Sequence, residues 1–279
     1  MSLQFTKMHG LGNDFMVIQT LTQTVDLSSE RIAAWARRDT GIGFDQCLVI
    51  QASECADVDF QYRIFNADGR EVGQCGNGAR CIARYLLEYG FTQKKRIRVA
   101  TATTQLELQV HQDGLVTVAF EPPVLEPVKI PIVLTPIDNL YVITLADGSI
   151  CEFRSLQVGN PHAIIPVSDL NNIAVQQIGA ELSTHAVFPE HANVSFMQII
   201  NPTLLRVRVY ERGVGITRAC GSAALACAIA ARLWYAGAAQ IQIELDGGSL
   251  RVEWPEREGA VYLIGPAEFV YNGILLPKG

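Results

Sequence analysis

A chain of 279 residues, 49% of them hydrophobic, can bury a core large enough for two compact domains and is too apolar to stay disordered. Its net charge of −6 and pI near 5.4 leave no basic footprint; the densest basic cluster, Lys94, Lys95 and Arg96 beside Arg98, reads as a solvated turn, so nucleic acid is not expected as a partner. The longest apolar run, residues 223 to 231, is far short of a membrane span, and MSLQFTKMHG lacks the features of a cleaved leader, so a cytoplasmic protein without a membrane partner is expected.

The elements follow in chain order. GNDFMVI, from Gly12, is a Gly-Asn pair leading into an apolar strand. Residues 62–80, YRIFNADGREVGQCGNGAR, read as an alternating strand, a glycine-bearing loop, and a helix opened by Cys75-Gly76. That helix runs through ARCIARYLLEYG to Gly90, where a left-handed cap is expected. RIRVATATTQLELQV then alternates as strands do. Five prolines among residues 121–136 interrupt regular hydrogen bonding and mark a domain boundary near residue 120. Beyond them GNPHAII, from Gly159, leads into a second apolar strand. VRVYERGVGITRACGSAAL, residues 207–225, repeats strand, loop and Cys-Gly, and its helix ends at Gly237, where a second left-handed cap is expected. AQIQIELDGGSLRVEW carries a hairpin turn at Asp246-Gly247-Gly248, and GPAEFVYNGILL is one more strand.

Cys75 and Cys220 lie 145 residues apart (220 − 75), and Gly12 and Gly159 lie 147 apart (159 − 12). Aligned on the cysteines, Arg63 meets Arg208, Phe65 meets Tyr210, Asn66 meets Glu211 and Gly76 meets Gly221. The expected fold is therefore α+β, two pseudo-symmetric domains from an internal duplication, each a many-stranded or barrel-like sheet around one central helix. The first domain takes residues 1–120, with 266–279 returning to it, and the second takes 121–265.

Seven cysteines without a Cys-x-x-Cys pair form neither a disulfide framework nor a zinc ribbon, and Cys47, Cys55, Cys81, Cys151 and Cys227 read as small packed hydrophobes. Cys75 and Cys220 differ, because the repeat keeps the Cys-Gly pair while its surroundings change. A thiol at a helix N-terminus lies in the positive end of the macrodipole, which lowers its pKa and suits it to act as a base. The same helix end offers unpaired N–H groups to a carboxylate, with Gly76 and Gly221 allowing close approach. If the two domains face one another across a cleft, one thiolate removes a proton from a carbon while the opposing thiol delivers one to its other face, inverting the stereocentre. His9, His111, His185 and His191 suggest no metal site, and no cofactor is implied.

HGLGNDF, TGIGFDQ, FNADG, CGNGARC, VGNPHA, NVSFMQ and YERGVGITRACGS resemble the diaminopimelate epimerase family, in this order and along nearly the whole chain. The resemblance implies a cofactor-independent enzyme interconverting LL- and meso-diaminopimelate on the route to lysine and peptidoglycan, with two domains closing over the substrate. It also implies a homodimer with Tyr271 near the contact. By motif, Cys75 and Cys220 are its two acid/bases. Gly76 and Asn77, with Gly221 and Ser222, hold the reacting carboxylate. Asn13, Gln46, Asn66, Asn160, Asn193, Glu211 and Arg212 supply the other substrate contacts, and His162 and Glu211 tune thiol acidity.

Two positions depart from the pattern. Ile216 stands where the family usually has a glutamate, and Ala223 where it usually has a glycine; loss of an acid near the second cysteine would alter that thiol. Other readings left open are an epimerase for a proline- or histidine-type substrate and a weakly active binding paralogue.

Overall fold

The computed structural model describes residues 2–73 and 75–276. The chain divides into two compact units, Met1–Ala119 with Gly265–Gly279, and Phe120–Ile264.

In the first unit β1 (Leu3–Gly10) pairs antiparallel with β2 (Asn13–Gln19), and the chain then crosses through the short helix α1 (Ser29–Ala36) to β3 (Gln46–Ala52), parallel to β2. Antiparallel β4 (Phe60–Asn66) and the two-residue β5 (Glu71–Val72) lead to α2 (Gly76–Glu88), and β6 (Arg96–Ala100) returns parallel to β4. Parallel neighbours need a crossover, and the helices supply it. Antiparallel β7 (Gln105–Val110) and β8 (Val116–Phe120) complete the run.

The second unit repeats this with matching pairings. β9 (Tyr141–Thr144) flanks β10 (Ile150–Gln157), which is antiparallel to β11 (Pro161–Pro166). Then come α3 (Val175–Ser183), β12 (Asn193–Asn201) parallel to β11, β13 (Leu204–Glu211) and β14 (Gly215–Thr217). Helix α4 (Gly221–Trp234) precedes β15 (Gln240–Leu245), parallel to β13, and antiparallel β16 (Gly248–Glu253) and β17 (Val261–Gly265) follow. The last strand, β18 (Glu268–Leu275), pairs with β1 as β9 pairs with β10. The fold is α+β, two copies of one motif, and the equivalent helices begin 145 residues apart (221 − 76).

Each long helix is buried almost throughout. Ala79, Ile82, Ala83 and Leu86 of α2 are in the core of the first unit; Ala224, Leu225, Ala228 and Ile229 of α4 are in that of the second. The short helices α1 and α3 are an addition to the one helix per half that the sequence pattern predicts. They form because each covers a separate apolar patch. Ile32 and Ala36 pack with Met16, Val49 and Phe65, while Val175 and Leu182 pack with Phe153, Phe188 and Phe196.

The expectation of two left-handed glycine caps holds once. Gly90 has φ +70°, and the N–H groups of Gly90 and Phe91 bond Leu87 and Leu86 carbonyls at 3.1 and 2.9 Å. After α4 it is Ala236 that takes φ +55°, whereas Gly237 is needed for space: a Cβ there would lie 2.9 Å from the Ala231 carbonyl carbon and 3.0 Å from Ile241 Cδ1. Nothing lies within 4 Å of the corresponding atom at Gly90. Gly90→Ala should therefore cost about 1–2 kcal/mol, from the left-handed backbone alone, and Gly237→Ala about 1–3 kcal/mol, from overpacking, with movement of the α4 end. Urea unfolding of the two variants checks both losses, and because the nearest atoms at Gly237 are backbone, Ile241→Val should not restore the stability lost in Gly237→Ala.

Candidate active site

In the first unit the registers bring three amides to one end of neighbouring strands. β2 starts at Asn13, Phe15 of β2 is opposite Gln46 of β3, and Gln46 is opposite Asn66 of β4, whose Oδ1 accepts from Gln46 Nε2 at 2.9 Å. The start of α2 joins this group. Cys75 is the N-cap residue, and its Sγ accepts the Gly78 N–H at 3.3 Å, the place usually filled by a serine or aspartate oxygen. Asn77 Nδ2 donates to Asn13 Oδ1 at 3.2 Å, and that oxygen is 4.0 Å from Cys75 Sγ. Behind the amides, Asp45 Oδ2 accepts from Asn13 Nδ2 at 2.9 Å and Arg80 donates to Asn77 Oδ1 at 2.9 Å. Asp14 lies alongside. Burial works against its charged form, but hydrogen bonds from Arg38 and Lys7 prevail and hold its carboxyl well below the usual range.

In the second unit the equivalent strand ends carry a different set. His162 of β11 is opposite Asn193 of β12; His162 Nε2 is 2.9 Å from Asn160 Oδ1 and 3.5 Å from Asn193 Nδ2. Burial, followed by the Arg212 charge, pushes the His162 pKa down to about 3, so the ring is neutral, and the Asn160 oxygen makes Nε2 the protonated nitrogen. Asn193 Oδ1 accepts the Arg212 N–H at 2.9 Å, and the Arg212 guanidinium reaches the Glu190 carbonyl at 2.8 Å. Glu211 ends β13 with one carboxylate oxygen on the Thr217 hydroxyl and the other 3.1 Å from Cys220 Sγ, whose S–H it accepts. Ser222 Oγ is 3.4 Å from the same sulfur, in the first turn of α4 behind Gly221.

Cys220 corrects the simple helix-end expectation. It is the N-cap residue of α4, yet burial and then the Glu211 carboxylate raise its pKa well above that of an ordinary thiol. Removal from water outweighs the partial charge of the helix end. Two equivalent cysteines thus differ in surroundings: Cys75 has an amide oxygen beside its sulfur, whereas the Cys220 sulfur donates to a carboxylate while taking hydrogen bonds from Ser222 and the Ala223 N–H. Cys81, Cys151 and Cys227 are buried thiols with pKa values pushed up to about 12, 11 and 12, chiefly by desolvation, which suits packing and not proton transfer.

The sequence model of the family described as diaminopimelate epimerase matches residues 5–126 and 154–270. The chain is 48% identical over 276 residues to the diaminopimelate epimerase of Legionella pneumophila subsp. pneumophila strain Philadelphia 1, covering 99% of this chain and 100% of that one. The chain belongs to the diaminopimelate epimerase family. Its fold is shared with more distant solved structures. A hydroxyproline epimerase from Agrobacterium vitis superposes with a TM-score of 0.69 at 12% identity, covering 98% of this chain and 92% of that one. A Bacillus anthracis phenazine biosynthesis protein of the PhzF family gives 0.66 at 17%, covering 99% and 100%.

Within the family, the two departures are placed differently with respect to the second thiol. Strand alternation decides Ile216: it is opposite Tyr210, whereas Thr217, on the other face of β14, reaches Glu211. Ile216 is half exposed, on the side of Arg208, away from Cys220 within this unit. Ala223 is fully buried and packs with Val209 and Cys220, so its methyl is accommodated. Sequence reading missed Thr217, Asp45 and Arg80. The first two adjoin motif residues but carry no spacing signal, and Arg80 reads as an exposed helical arginine until tertiary burial is known.

Among the described residues no group of three or more histidine, cysteine, aspartate or glutamate side chains could hold a metal ion, and no helix is long and apolar enough to cross a membrane. Because the Glu211 charge holds the proton on Cys220, Glu211→Gln should lower that thiol's pKa. Alkylation of Cys220 at pH 8, followed by mass spectrometry, should then accelerate, by up to about tenfold for every pH unit that the titration midpoint of the thiol falls. An unchanged or slower rate would show that burial alone sets its acidity.

Proposed function

We propose that the protein interconverts LL- and meso-diaminopimelate by two-base proton transfer at the α-carbon without a cofactor, in lysine and peptidoglycan precursor biosynthesis. The observation that carries this reading is the unequal surroundings of Cys75 and Cys220 at equivalent helix starts. Inversion at carbon needs one group able to take a proton and a second already holding one. We assign the proton-taking role to Cys75, whose sulfur accepts the Gly78 N–H, and the proton-giving role to Cys220, which donates its proton to Glu211. The assignment is for one direction of reaction; after turnover the two protonation states are exchanged.

The remaining residues fit the demands of this carbon acid. Removing the α-proton moves charge into the carboxylate, and helix-end N–H donors at Gly76, Asn77, Gly221 and Ser222 are aimed at such charge; one donor of this kind is worth about 3–4 kcal/mol. Asn13, Gln46, Asn66, Asn160 and Asn193 offer donors and acceptors without adding charge. Arg212 pairs the distal carboxylate and Glu211 accepts from an ammonium group. Neutral His162 holds Asn160 in place beside Asn193, and through them the contacts near the thiols.

NMR of LL-diaminopimelate in D₂O with reduced protein and no added cofactor should show α-deuterium incorporation and the meso isomer. Cys75→Ser and Cys220→Ser should each slow epimerisation by about 100-fold or more, the usual worth of a positioned acid or base. Wild-type protein that neither exchanges nor inverts this substrate would end the proposal.

The protein acts as a homodimer in this reading. β18 presents Val270, Tyr271 and Ile274 as exposed apolar side chains, and Tyr271 also packs edge-on against Phe5 at 6.0 Å. Tyr271→Asp should shift the mass from light scattering from dimer to monomer; a monomeric wild type would remove this part.

A further inference from the structure

Behind the second half-site a small group of polar atoms is shut away from solvent. His162 of β11, Ser195 of β12 and Cys227 of α4 are all fully buried. His162 is opposite Asn193 in the parallel pairing of β11 with β12, so Ser195, two residues further along β12, has its side chain on the same face of the sheet. Burial dominates the Cys227 thiol, and the Ser195 hydroxyl beside it works the other way, which sets this face against α4. Yet the Ser195 hydroxyl makes no hydrogen bond of proper geometry, and His162 Nδ1 has no partner among the described residues. Buried polar atoms are almost always satisfied, by protein or by ordered water.

The fold does not require polarity here. The equivalent positions of the first unit are Phe15 (162 − 15 = 147), Leu48 (195 − 48 = 147) and Ile82 (227 − 82 = 145), each fully buried. That copy packs strand on helix in the same way: a Cβ added at Gly78 of α2 would lie 3.0 Å from Leu48 Cδ2. In the second unit all three apolar side chains give way to smaller ones that carry nitrogen, oxygen or sulfur. The changes together remove bulk and add hydrogen-bonding atoms, the two conditions for an internal water. Imidazole, hydroxyl and thiol are neutral, so they offer an ion no counter-charge. Nε2 holds the ring proton, on Asn160 Oδ1 at 2.9 Å, which leaves Nδ1 as an acceptor in need of a donor.

We propose that one buried water bridges His162 Nδ1 and Ser195 Oγ, and that Ser195 acts through it as a positioning residue for the His162 ring. Held at Nδ1, the ring cannot turn, and Nε2 stays on Asn160 with Asn193 Nδ2 at 3.5 Å. The consequence for turnover rests on the function proposed above, whereas the water and the ring do not.

A crystal structure of the reduced wild-type protein that resolves ordered water should show one within about 2.7–3.2 Å of both His162 Nδ1 and Ser195 Oγ. In solution the readout is the Nδ1 resonance of ¹⁵N-histidine-labelled protein. Ser195→Leu, which copies the first unit, should move it toward the value of an unbonded ring nitrogen, and Ser195→Thr, which keeps the hydroxyl, should leave it in place. Ser195→Leu should also lower kcat/KM by about two- to tenfold, the worth of one hydrogen bond, and Ser195→Thr should retain most of it. No water between the two atoms, a direct bond from Ser195 to His162, or an unmoved Nδ1 resonance in folded Ser195→Leu would overturn the proposal. A moved resonance with unchanged kcat/KM would overturn the positioning role. If Ser195→Leu does not fold, the wild-type crystal structure decides, since it needs no variant. Without activity on diaminopimelate the crystal and NMR arms still decide the water, so failure of the functional reading and failure of this inference give different results.

Discussion

The first turn of an α-helix carries N–H groups that no helical carbonyl reaches, and the Cys75 sulfur accepts one of them. Most of the first half-site depends on that choice of cap. A serine there would satisfy the backbone as well, but its hydroxyl has no readily ionised form near neutral pH. A thiol can satisfy the helix and exchange a proton. The crossovers then determine which groups surround it. With β2 parallel to β3 and β4 parallel to β6, the helix that returns the chain begins beside the start of β2 at Asn13, the start of β3 at Gln46 and the end of β4 at Asn66.

The duplication delivers this geometry twice, and divergence at a few strand ends gives the copies different chemistry. Asn66 and Glu211 are equivalent positions. The amide of Asn66 binds Gln46; the carboxylate of Glu211 takes the Cys220 S–H, and burial of the sulfur with that charge keeps the proton there. A change from amide to acid thus gives the two thiols different neighbours on the same frame. An isomerase working in both directions needs these states to exchange, which fits a Glu211 carboxylate oriented by the neutral Thr217 hydroxyl.

Legibility in the sequence followed how local each feature is. The strands around YRIFNADG and VRVYERG and the starts of α2 and α4 were readable because alternation, turn glycines and Cys-Gly occur within a few residues of each other, twice. The short helices were not. Ser28 makes no side-chain cap bond to α1, Ala174 cannot cap α3, and Gly179 within α3 reads as a breaker although it is where the helix meets Tyr210, with an added Cβ 2.5 Å from that side chain. Gly237 was read as a conformational glycine because spacing cannot separate a need for positive φ from a need for room. The site residues named by resemblance fall at strand ends and helix starts in both units, but the state of Cys220 depends on burial, which no motif displays.

Position 80 and its equivalent 225 show where folding and function part. Both side chains are fully buried on the same turn of equivalent helices, one leucine and one arginine. Leucine satisfies the packing of α4, so packing cannot be the reason for a guanidinium in α2. Only the first unit has an amide two residues after the cysteine, Asn77, where the second has Ser222, whose hydroxyl can rotate to suit either partner. The buried guanidinium occurs in the copy that has that amide, and it donates to the Asn77 oxygen and to the Pro266 carbonyl.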